Sequence, residues 1–444
     1  MRIVFAAAAS GSGKTTIAVG VIGALRRRGM RVAAAKVGPD FIDAAHLSAA
    51  SGMPTRNLDT WLASPEGVRR SFARGAANVD ITIIEGVMGL FDGRFGTDEG
   101  STDSAARALD APVVLVLDCG KASATVGAVA LGLATFEPRL RVLGAILNRV
   151  ASDKHAESVA QAVRRAGIPV LGILRKNAAL AFPERALGLD APTRAAGAAF
   201  RDAAADAVAA GVDLDALLAL AAAAPPLRID AAAPIAASAR VRVAIARDEA
   251  FWFYDEGSLD ALRDAGAELV PYSPLRDSFP RDVGAAFIGG GYPELHAAAL
   301  SENVAARDGL RAAAAAGMPV YAECGGLMYL GERLVTADAS FPMCGVVPVA
   351  STMRDKRSAL RYVEARVLRD GPMFAAGADV RGHEFHYSTA DYTREQSAYD
   401  IDGAPEGFAN ENVHASYVHV HLAGLPDAVA RFVAHAHAHA AVVA

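Results

Sequence analysis

The fold predicted for the first half of the chain is decided by one stretch, Ala9-Ser10-Gly11-Ser12-Gly13-Lys14-Thr15-Thr16. The apolar residues 3–8 precede it, and the amphipathic residues 17–28 follow it. A strand, a glycine-rich turn and a helix in this order form the usual setting of a phosphate-binding loop. Backbone N–H groups of the turn and the positive end of the helix dipole hold phosphate oxygens there. The stretch therefore predicts a site for a nucleoside triphosphate.

The loop departs at one position from the pattern G-x-x-x-x-G-K-[ST], because Ala8 stands where the first glycine is expected. Lys14 is expected to reach the terminal phosphates, and Thr15 is expected to offer its hydroxyl to Mg²⁺. The alternative is an ordinary Gly/Ser turn followed by a chance Lys-Thr pair, and the flanking strand and helix patterns argue against it. The loop residues predicted to bind ATP are Gly11, Ser12, Gly13, Lys14, Thr15 and Thr16.

The composition narrows the class of protein. The 444 residues are 52% hydrophobic and 21% charged, with a formal net charge of -5, which gives no electrostatic reason to expect nucleic acid or an anionic membrane as partner. Three cysteines argue against a disulfide framework and for a reducing compartment. No apolar run reaches the roughly 20 residues needed to span a bilayer. We therefore expect a cytoplasmic protein, and a homodimer stays open.

The first half alternates short apolar runs with longer amphipathic ones, which predicts an α/β domain on a parallel sheet. Residues 218–240 are rich in alanine and proline, lack an apolar period and are predicted to be an interdomain linker. A new apolar strand then opens a second α/β domain, so the predicted divisions are 1–217, 218–240 and 241–444. The strands predicted for these domains are residues 3–8, 32–36, 81–85, 113–118, 142–148, 170–174 and 241–246.

Polar side chains follow several of these strands, at the edge of a parallel sheet where ligands collect. Asp40 and Asp43 lie in the turn after the second strand, and Glu85 lies where phosphate-loop enzymes place an acid near Mg²⁺. Asn148 ends another strand and is suited to bonding an adenine edge. Taken singly, each acid is more often a helix cap or a turn former. Their convergence beside a phosphate loop favours a site.

The second domain has its own centre at Cys324, where an apolar strand meets a glycine-flanked turn and then a helix. Such an elbow projects a nucleophile, and the N-terminus of a helix favours the thiolate. Gly290 and Gly291 end another strand, and their N–H groups with that of Gly325 are predicted to form an oxyanion hole.

His419 and His421, on one face of a predicted strand, are the candidate partners of this thiol, because a Cys–His pair distant in sequence is the expected arrangement for a thiol nucleophile. An inert buried thiol is the alternative for a lone cysteine, and we assign that role to Cys119 and Cys344. Two further histidine groups were weighed as metal sites and disfavoured. They are His383 with His386, and the terminal His435, His437 and His439, expected in a frayed segment.

Five phrases in order make the whole chain resemble the cobyrinate and hydrogenobyrinate a,c-diamide synthase family of corrinoid biosynthesis. The resemblance implies a dethiobiotin-synthetase-like phosphate-loop domain joined to a class I glutamine amidotransferase domain. The phrases are GPDFID at residues 38–43, EGVMGLFDG at 85–93, AECGGLMY at 322–329, GHEFHYS at 382–388 and ASYVH at 415–419.

The resemblance implies ATP-dependent amidation of the a and c carboxylates of a corrin through an acyl phosphate. It implies that Lys36 faces the carboxylate and the γ-phosphate, and that Asp43 and Asp92 assist catalysis or positioning. Thr15, Asp40 and Glu85 would hold Mg²⁺, the expected cofactor of the co-substrate ATP.

In the second domain the resemblance implies that Cys324 attacks glutamine, releasing ammonia, with His419 as base. His421 stands where the family of amidotransferases usually has an acid, two residues past the histidine, and is left as an orienting residue.

Two alternatives stay open. The same chemistry on nickel-sirohydrochlorin uses the same motifs, and turnover on the three macrocycles would separate the substrates. A nucleotide-switched binding protein shares the phosphate loop, but it needs neither the Cys324 elbow nor His419.

Overall fold

A computed structural model of the chain describes residues 1–181, 195–227 and 240–443. The chain divides into two units, residues 1–231 and 232–444. In the described part of the chain, no helix combines the length and the apolar character needed to cross a membrane.

The first unit is built on one sheet of seven parallel strands, in the order β3-β2-β4-β1-β5-β6-β7 once the strands are numbered along the chain. The strands are β1 (Arg2–Ala6), β2 (Val32–Val37), β3 (Arg56–Leu58), β4 (Ile81–Glu85), β5 (Val113–Asp118), β6 (Val142–Val150) and β7 (Val170–Arg175). The helices are α1 (Lys14–Arg27), α2 (Phe41–Ser51), α3 (Ser64–Gly75), α4 (Thr102–Ala108), α5 (Thr125–Thr135), α6 (Asp153–Arg165), α7 (Ala195–Gly211) and α8 (Leu214–Ala222), with a 3-10 turn at Ala178–Leu180.

Burial on both faces of this sheet explains why its strands are continuous apolar runs. In β1, Ile3 and Phe5 belong to one buried cluster, and Val4 and Ala6 belong to the other. The predicted parallel α/β sheet and its strands are confirmed, and the phosphate loop follows the central strand β1. The short strand β3 was missed because three residues carry no apolar period.

The second unit contains a larger sheet in the order β10-β8-β11-β13-β23-β22 and three smaller ones, β12-β9, β15-β14-β16-β19 and β21-β20-β17-β18-β24. The strands are β8 (Val241–Ala246), β9 (Phe251–Phe253), β10 (Ala267–Tyr272), β11 (Ala285–Ile288), β12 (Gly290–Gly291), β13 (Val320–Glu323), β14 (Arg333–Val335), β15 (Ser340–Pro342), β16 (Ala350–Met353), β17 (Ala359–Val367), β18 (Asp379–His386), β19 (Ser388–Ala390), β20 (Tyr399–Ile401), β21 (Ala404–Glu406), β22 (Phe408–Ala409), β23 (Val413–Ser416) and β24 (His419–Val420). The helices are α9 (Glu256–Asp264), α10 (Ala297–Glu302), α11 (Val304–Ala315), α12 (Gly325–Leu330) and α13 (Pro426–Val443), with 3-10 turns at Pro293–His296 and Leu422–Gly424.

Strands β10, β8, β11, β13 and β23 run parallel, and β22 pairs antiparallel at the edge. Alternate residues of β8 again enter two cores, Ala244 and Ala246 on one side and Val243 and Ile245 on the other. The predicted second α/β domain is confirmed.

Two sequence predictions need correction. The predicted linker 218–240 overlaps α8, whose buried Leu214, Leu217 and Ala221 follow a helical period that starts before residue 218. Residues 228–239 of that linker lie outside the described residues. The terminal histidines are not in a frayed segment but in α13, which is held by buried Phe432 and Ala436 on its apolar side.

Candidate functional site

The phosphate loop joins β1 to α1 through two glycines in left-handed backbone conformations, Gly11 with φ 75° and Gly13 with φ 94°. The Lys14 ammonium donates to the carbonyl oxygens of Ala9 at 3.2 Å and Met88 at 2.6 Å, across the mouth of the loop. Among the described side chains, none caps α1, and its first turn has no acid. Its N–H groups and dipole are therefore available to an anion.

Asn148 lies against this loop. Its Nδ2 donates to the Ser12 carbonyl at 3.0 Å, and its Oδ1 accepts the Arg149 N–H at 2.9 Å. A Cβ on Gly13 would overlap Nδ2. The structure therefore gives Asn148 a supporting contact with the loop, and its contact with adenine stays a prediction.

The other two predicted hydroxyls make local bonds. Ser12 Oγ donates to the Ala9 carbonyl at 2.9 Å, and Thr16 Oγ1 donates to the Leu180 carbonyl at 3.4 Å. Because these two hydroxyls are already hydrogen-bonded, the loop offers a phosphate mainly its backbone N–H groups as hydrogen-bond donors.

Lys36 is buried at the end of β2 among oxygen atoms. Its Nζ donates to the Gly86 carbonyl at 3.0 Å and lies 3.3 Å from Asp43 Oδ2 and 3.7 Å from Glu85 Oε1. Burial would lower the pKa of Lys36, but the two carboxylates outweigh it and raise that pKa above its ordinary value. Burial and the charge of Lys36 lower the pKa of Lys14 to about 8. Phosphate oxygens bound at the loop would favour the charged form of both lysines.

Glu85 links this cluster to the loop, because its Oε1 accepts the Thr15 hydroxyl at 2.5 Å. Its Oε2 is buried with no hydrogen-bond partner among the described residues. Burial raises the pKa of Glu85, and Lys36 opposes this. A hydroxyl and an unshared carboxylate oxygen suit Mg²⁺, which proteins hold through one or two carboxylates with phosphates and water. The described residues contain no group of three or more His, Cys, Asp or Glu placed to hold a metal ion, so phosphate oxygens would have to complete such a site.

Two predicted acids also have structural roles. Asp40 caps α2, with Oδ1 accepting the N–H groups of Ile42 and Asp43, each at 2.9 Å. Burial and the nearby Asp43 carboxylate raise the pKa of Asp40 to about 6. Asp92 Oδ2 accepts the Gly89 N–H at 2.8 Å in the turn after β4. The metal role of Asp40 and the catalytic role of Asp92 stay predictions.

In the second unit, Cys324 stands between β13 and α12, which confirms the predicted strand-to-helix elbow. Its backbone, with φ 49° and ψ -105°, is one that side chains other than glycine rarely adopt, at a cost on the order of 1–3 kcal/mol. Cys324 is 4% exposed, and its Sγ lies 3.9 Å from the Phe385 carbonyl oxygen. Strain at this position fits a nucleophile held in one orientation.

His419 lies beside this thiol, and its role as the base stays a prediction. On the other side of its ring, Nδ1 lies 3.2 Å from Glu323 Oε2. Burial would lower the pKa of His419, but the hydrogen bonds to Cys324 and Glu323 outweigh it and raise the pKa to about 10. Sequence reasoning missed Glu323, although this acid directly precedes the nucleophile.

The other histidines do not take that position. His421 Nε2 lies 3.2 Å from Asp255 Oδ2. His383 is opposite His419 in the β18–β24 pair and stacks on its ring, with centroids 4.9 Å apart. His386 stacks on Tyr417 with centroids 4.0 Å apart. His421 is therefore not the residue that faces Nδ1 of His419.

The glycines predicted to form the oxyanion hole lie close to one another and to His419. A Cβ on Gly290 would lie 2.6 Å from His419 Cε1, and one on Gly325 would lie 3.1 Å from the Gly291 nitrogen. The Gly290 position has no room for a side chain beside His419, and the Gly325 position is tight against Gly291, so β12 packs closely against both His419 and the elbow.

A cavity of about 450 Å³ lies next to β18, the strand whose Phe385 carbonyl is 3.9 Å from the Cys324 thiol. Its wall includes Glu384 and His386, the neighbours of Phe385, whose carbonyl contacts the thiol. Arg361 also lines it and donates to Glu384 Oε2 at 2.7 Å. The cavity thus offers charges of both signs.

Known proteins match both units. A CobQ/CobB/MinD/ParA nucleotide binding domain matches residues 3–187, and a CobB/CobQ-like glutamine amidotransferase domain matches residues 242–426. The chain is 41% identical over 450 residues to a cobyrinate a,c-diamide synthase of Dehalococcoides mccartyi strain CBDB1, covering 97% of each. It is 43% identical over 451 residues to a hydrogenobyrinate a,c-diamide synthase of Mycobacterium tuberculosis strain H37Rv, covering 98% of this chain and 97% of the relative.

The chain belongs to this a,c-diamide synthase family. The resemblance inferred from five phrases is confirmed, as is the two-domain α/β architecture of a phosphate-loop domain followed by a glutamine amidotransferase domain. A relative from Listeria monocytogenes serotype 4b, also a cobyrinate a,c-diamide synthase, is 40% identical and covers 95% of this chain and 96% of its own.

Proposed function

We propose that this protein amidates the a and c carboxylates of cobyrinate or hydrogenobyrinate, using ATP and the amide nitrogen of glutamine. One observation carries the proposal. The chain combines two candidate sites. In the first, a phosphate loop lies beside a buried lysine–carboxylate cluster, and in the second, a cysteine elbow lies beside a histidine. That chain is at least 40% identical to relatives named for this reaction over nearly its whole length.

The first unit would make the acyl donor. A substrate carboxylate oxygen attacks the γ-phosphorus of ATP, ADP leaves, and an acyl phosphate forms. Ammonia then attacks the acyl carbon and phosphate leaves, giving the amide. Lys14 and the loop N–H groups would hold the phosphates, and Lys36 would neutralise charge that develops between carboxylate and phosphate. Thr15 and Glu85 would hold Mg²⁺, which when bound offsets phosphate charge.

Four side chains have lesser roles in this proposal. Asp43 would keep Lys36 charged and placed, consistent with their 3.3 Å separation. Asp40 and Asp92, as acids at the ends of β2 and β4, would assist metal or substrate positioning. Asn148 would support the loop and contact the adenine edge.

The second unit would release the nitrogen. Cys324 Sγ attacks the carboxamide carbon of glutamine, while His419 holds the proton of the thiol and gives it to the departing ammonia. Water activated by His419 then hydrolyses the thioester to glutamate. N–H groups at Gly290, Gly291 and Gly325 would bind the oxyanion. The cavity next to β18, lined by Arg361 and Glu384, would take the zwitterionic end of glutamine.

The proposal also places the protein in the cytoplasm, consistent with three unpaired cysteines. A homodimer stays a prediction that light scattering of the purified protein would test.

The test is direct assay of the purified protein with Mg²⁺, ATP, glutamine and each of three macrocycles, namely cobyrinate, hydrogenobyrinate and nickel-sirohydrochlorin. We expect diamide product from the corrinoid pair, with one ADP and one glutamate formed per amide. Preferred turnover of nickel-sirohydrochlorin would contradict the substrate assignment. ATP-dependent dimerisation without glutamate or acyl phosphate would contradict the enzyme class.

A further inference from the structure

We propose that Glu323 is the positioning residue of a Cys324–His419–Glu323 triad, in which the acid comes from the strand that carries the nucleophile. The inference rests on the glutamine hydrolysis proposed above. It replaces the acid that class I amidotransferases are expected to carry two residues past the histidine, where this chain has His421.

The two carboxylate oxygens of Glu323 have separate partners. Oε1 accepts the Tyr321 hydroxyl at 2.8 Å and the Val420 N–H at 3.2 Å. Oε2 lies 3.2 Å from His419 Nδ1. The side chain is buried, so one oxygen fixes the carboxylate and the other faces the imidazole. This is the contact expected of a group that orients a catalytic base.

An ionised carboxylate only accepts hydrogen bonds, so this contact places a proton on Nδ1 of His419. Nε2 is then the nitrogen that holds the proton shared with Cys324. The carboxylate also stabilises the imidazolium that results. Both effects act through His419, and Glu323 itself does not touch the thiol or glutamine in this account.

No neighbouring histidine can do the same. His421 is paired with Asp255 at 3.2 Å. His383 packs face to face on the His419 ring, where it meets the π surface and not the ring edge that carries Nδ1. Burial, with the charges of His419 and His421, lowers the pKa of His383 well below its ordinary value, so it adds no positive charge at neutral pH.

The variant Glu323→Gln tests the inference because it keeps the shape and one acceptor oxygen. That oxygen can still accept from Tyr321 and Val420, and the amide nitrogen then donates to Nδ1. The proton of His419 is forced onto Nε2, which can no longer accept from Cys324. We expect kcat for glutamine hydrolysis to fall about 100-fold or more, with KM changed less than about threefold. Glu323→Asp should recover part of kcat, and amidation supported by ammonium chloride should stay at the wild-type rate.

Asp255→Asn is the matched control, since it neutralises a buried carboxylate that faces a different histidine, His421. Its glutamine hydrolysis should stay near wild type. The inference is overturned if Glu323→Gln hydrolyses glutamine within about threefold of wild type, or if Asp255→Asn loses as much activity. If the wild-type protein itself hydrolyses no glutamine, the proposed function fails instead, so the two failures are distinguishable.

Discussion

At the scale of single residues, both candidate sites depend on ionisable groups that are buried and kept charged by a partner. Lys36 is 2% exposed and lies between Asp43 and Glu85, and His419 lies between Cys324 and Glu323. Removing one member of a buried pair leaves the other charge without compensation. Substitutions there should therefore affect both stability and chemistry.

Lys36→Met should abolish amidation and lower the stability of the first unit. Methionine fills a similar volume but leaves the carboxylates of Asp43 and Glu85 without their cation. We expect the rate of ADP formation to fall about 100-fold or more, and the free energy of unfolding to fall by roughly 3 kcal/mol. Lys154→Met, at an exposed position on α6, is the control for loss of one positive charge. Wild-type ADP formation by a folded Lys36→Met protein would contradict the role of this lysine.

His414 should make the second unit sensitive to acid. It is buried beside Tyr399 and Phe374, and neither ring nitrogen has a hydrogen-bond partner among the described residues. Burial lowers its pKa to about 3. The folded protein therefore binds fewer protons than the unfolded chain between that value and the ordinary pKa near 6.5, so its stability falls as pH falls through this window.

From pH 7 to pH 5 this histidine should cost about 2 kcal/mol of unfolding free energy. In His414→Phe, the unfolding free energy should not show this decrease between pH 7 and pH 5. Urea unfolding of both proteins at the two pH values would measure the difference. Equal pH dependence in both would show that His414 does not titrate in this way.

Residue types that carry local chemistry were predictable, and so was the pairing of Cys324 with a distant histidine, but other long-range contacts were not. The pattern around Lys14 and Thr15 has a fixed meaning along the chain. By contrast, Glu323 reaches His419 across 96 positions, and Asn148 reaches Ser12 across 136. Nothing local distinguishes such side chains from ordinary strand ends.

At the scale of elements, the phosphate loop depends on close contact between α1 and the end of β6. Gly13→Ala should weaken ATP binding about tenfold or more, since its Cβ would overlap the amide of Asn148 and φ is 94°. Gly29→Ala is a matched control, because Gly29 has φ 82° but no atom within 4 Å of the added Cβ. Isothermal titration with a non-hydrolysable ATP analogue would measure both. Equal loss of affinity in the two variants would show that backbone strain alone is responsible.

Elements with a clear apolar pattern were predictable from the sequence. Strands buried on both faces, such as β1 and β5, appear as continuous apolar runs. Part of α8 was assigned to a linker because alanines surround its buried leucines, so the sequence shows no clear contrast between an apolar and a polar face. The strand β3 is too short to show any period.

At the scale of the whole molecule, each unit has its own sheet, its own buried clusters and its own candidate site. The residues proposed for phosphate chemistry all lie in the first unit, and the residues proposed for thiol chemistry all lie in the second. Each half-reaction should then be separable by a single substitution.

Cys324→Ala tests that division most directly, with amide product measured by mass spectrometry in the presence of ATP and the corrinoid substrate. The account predicts no product when glutamine is the nitrogen source, and product at the wild-type rate when ammonium chloride replaces it. A folded variant that still uses glutamine, or that fails with ammonium, would contradict it.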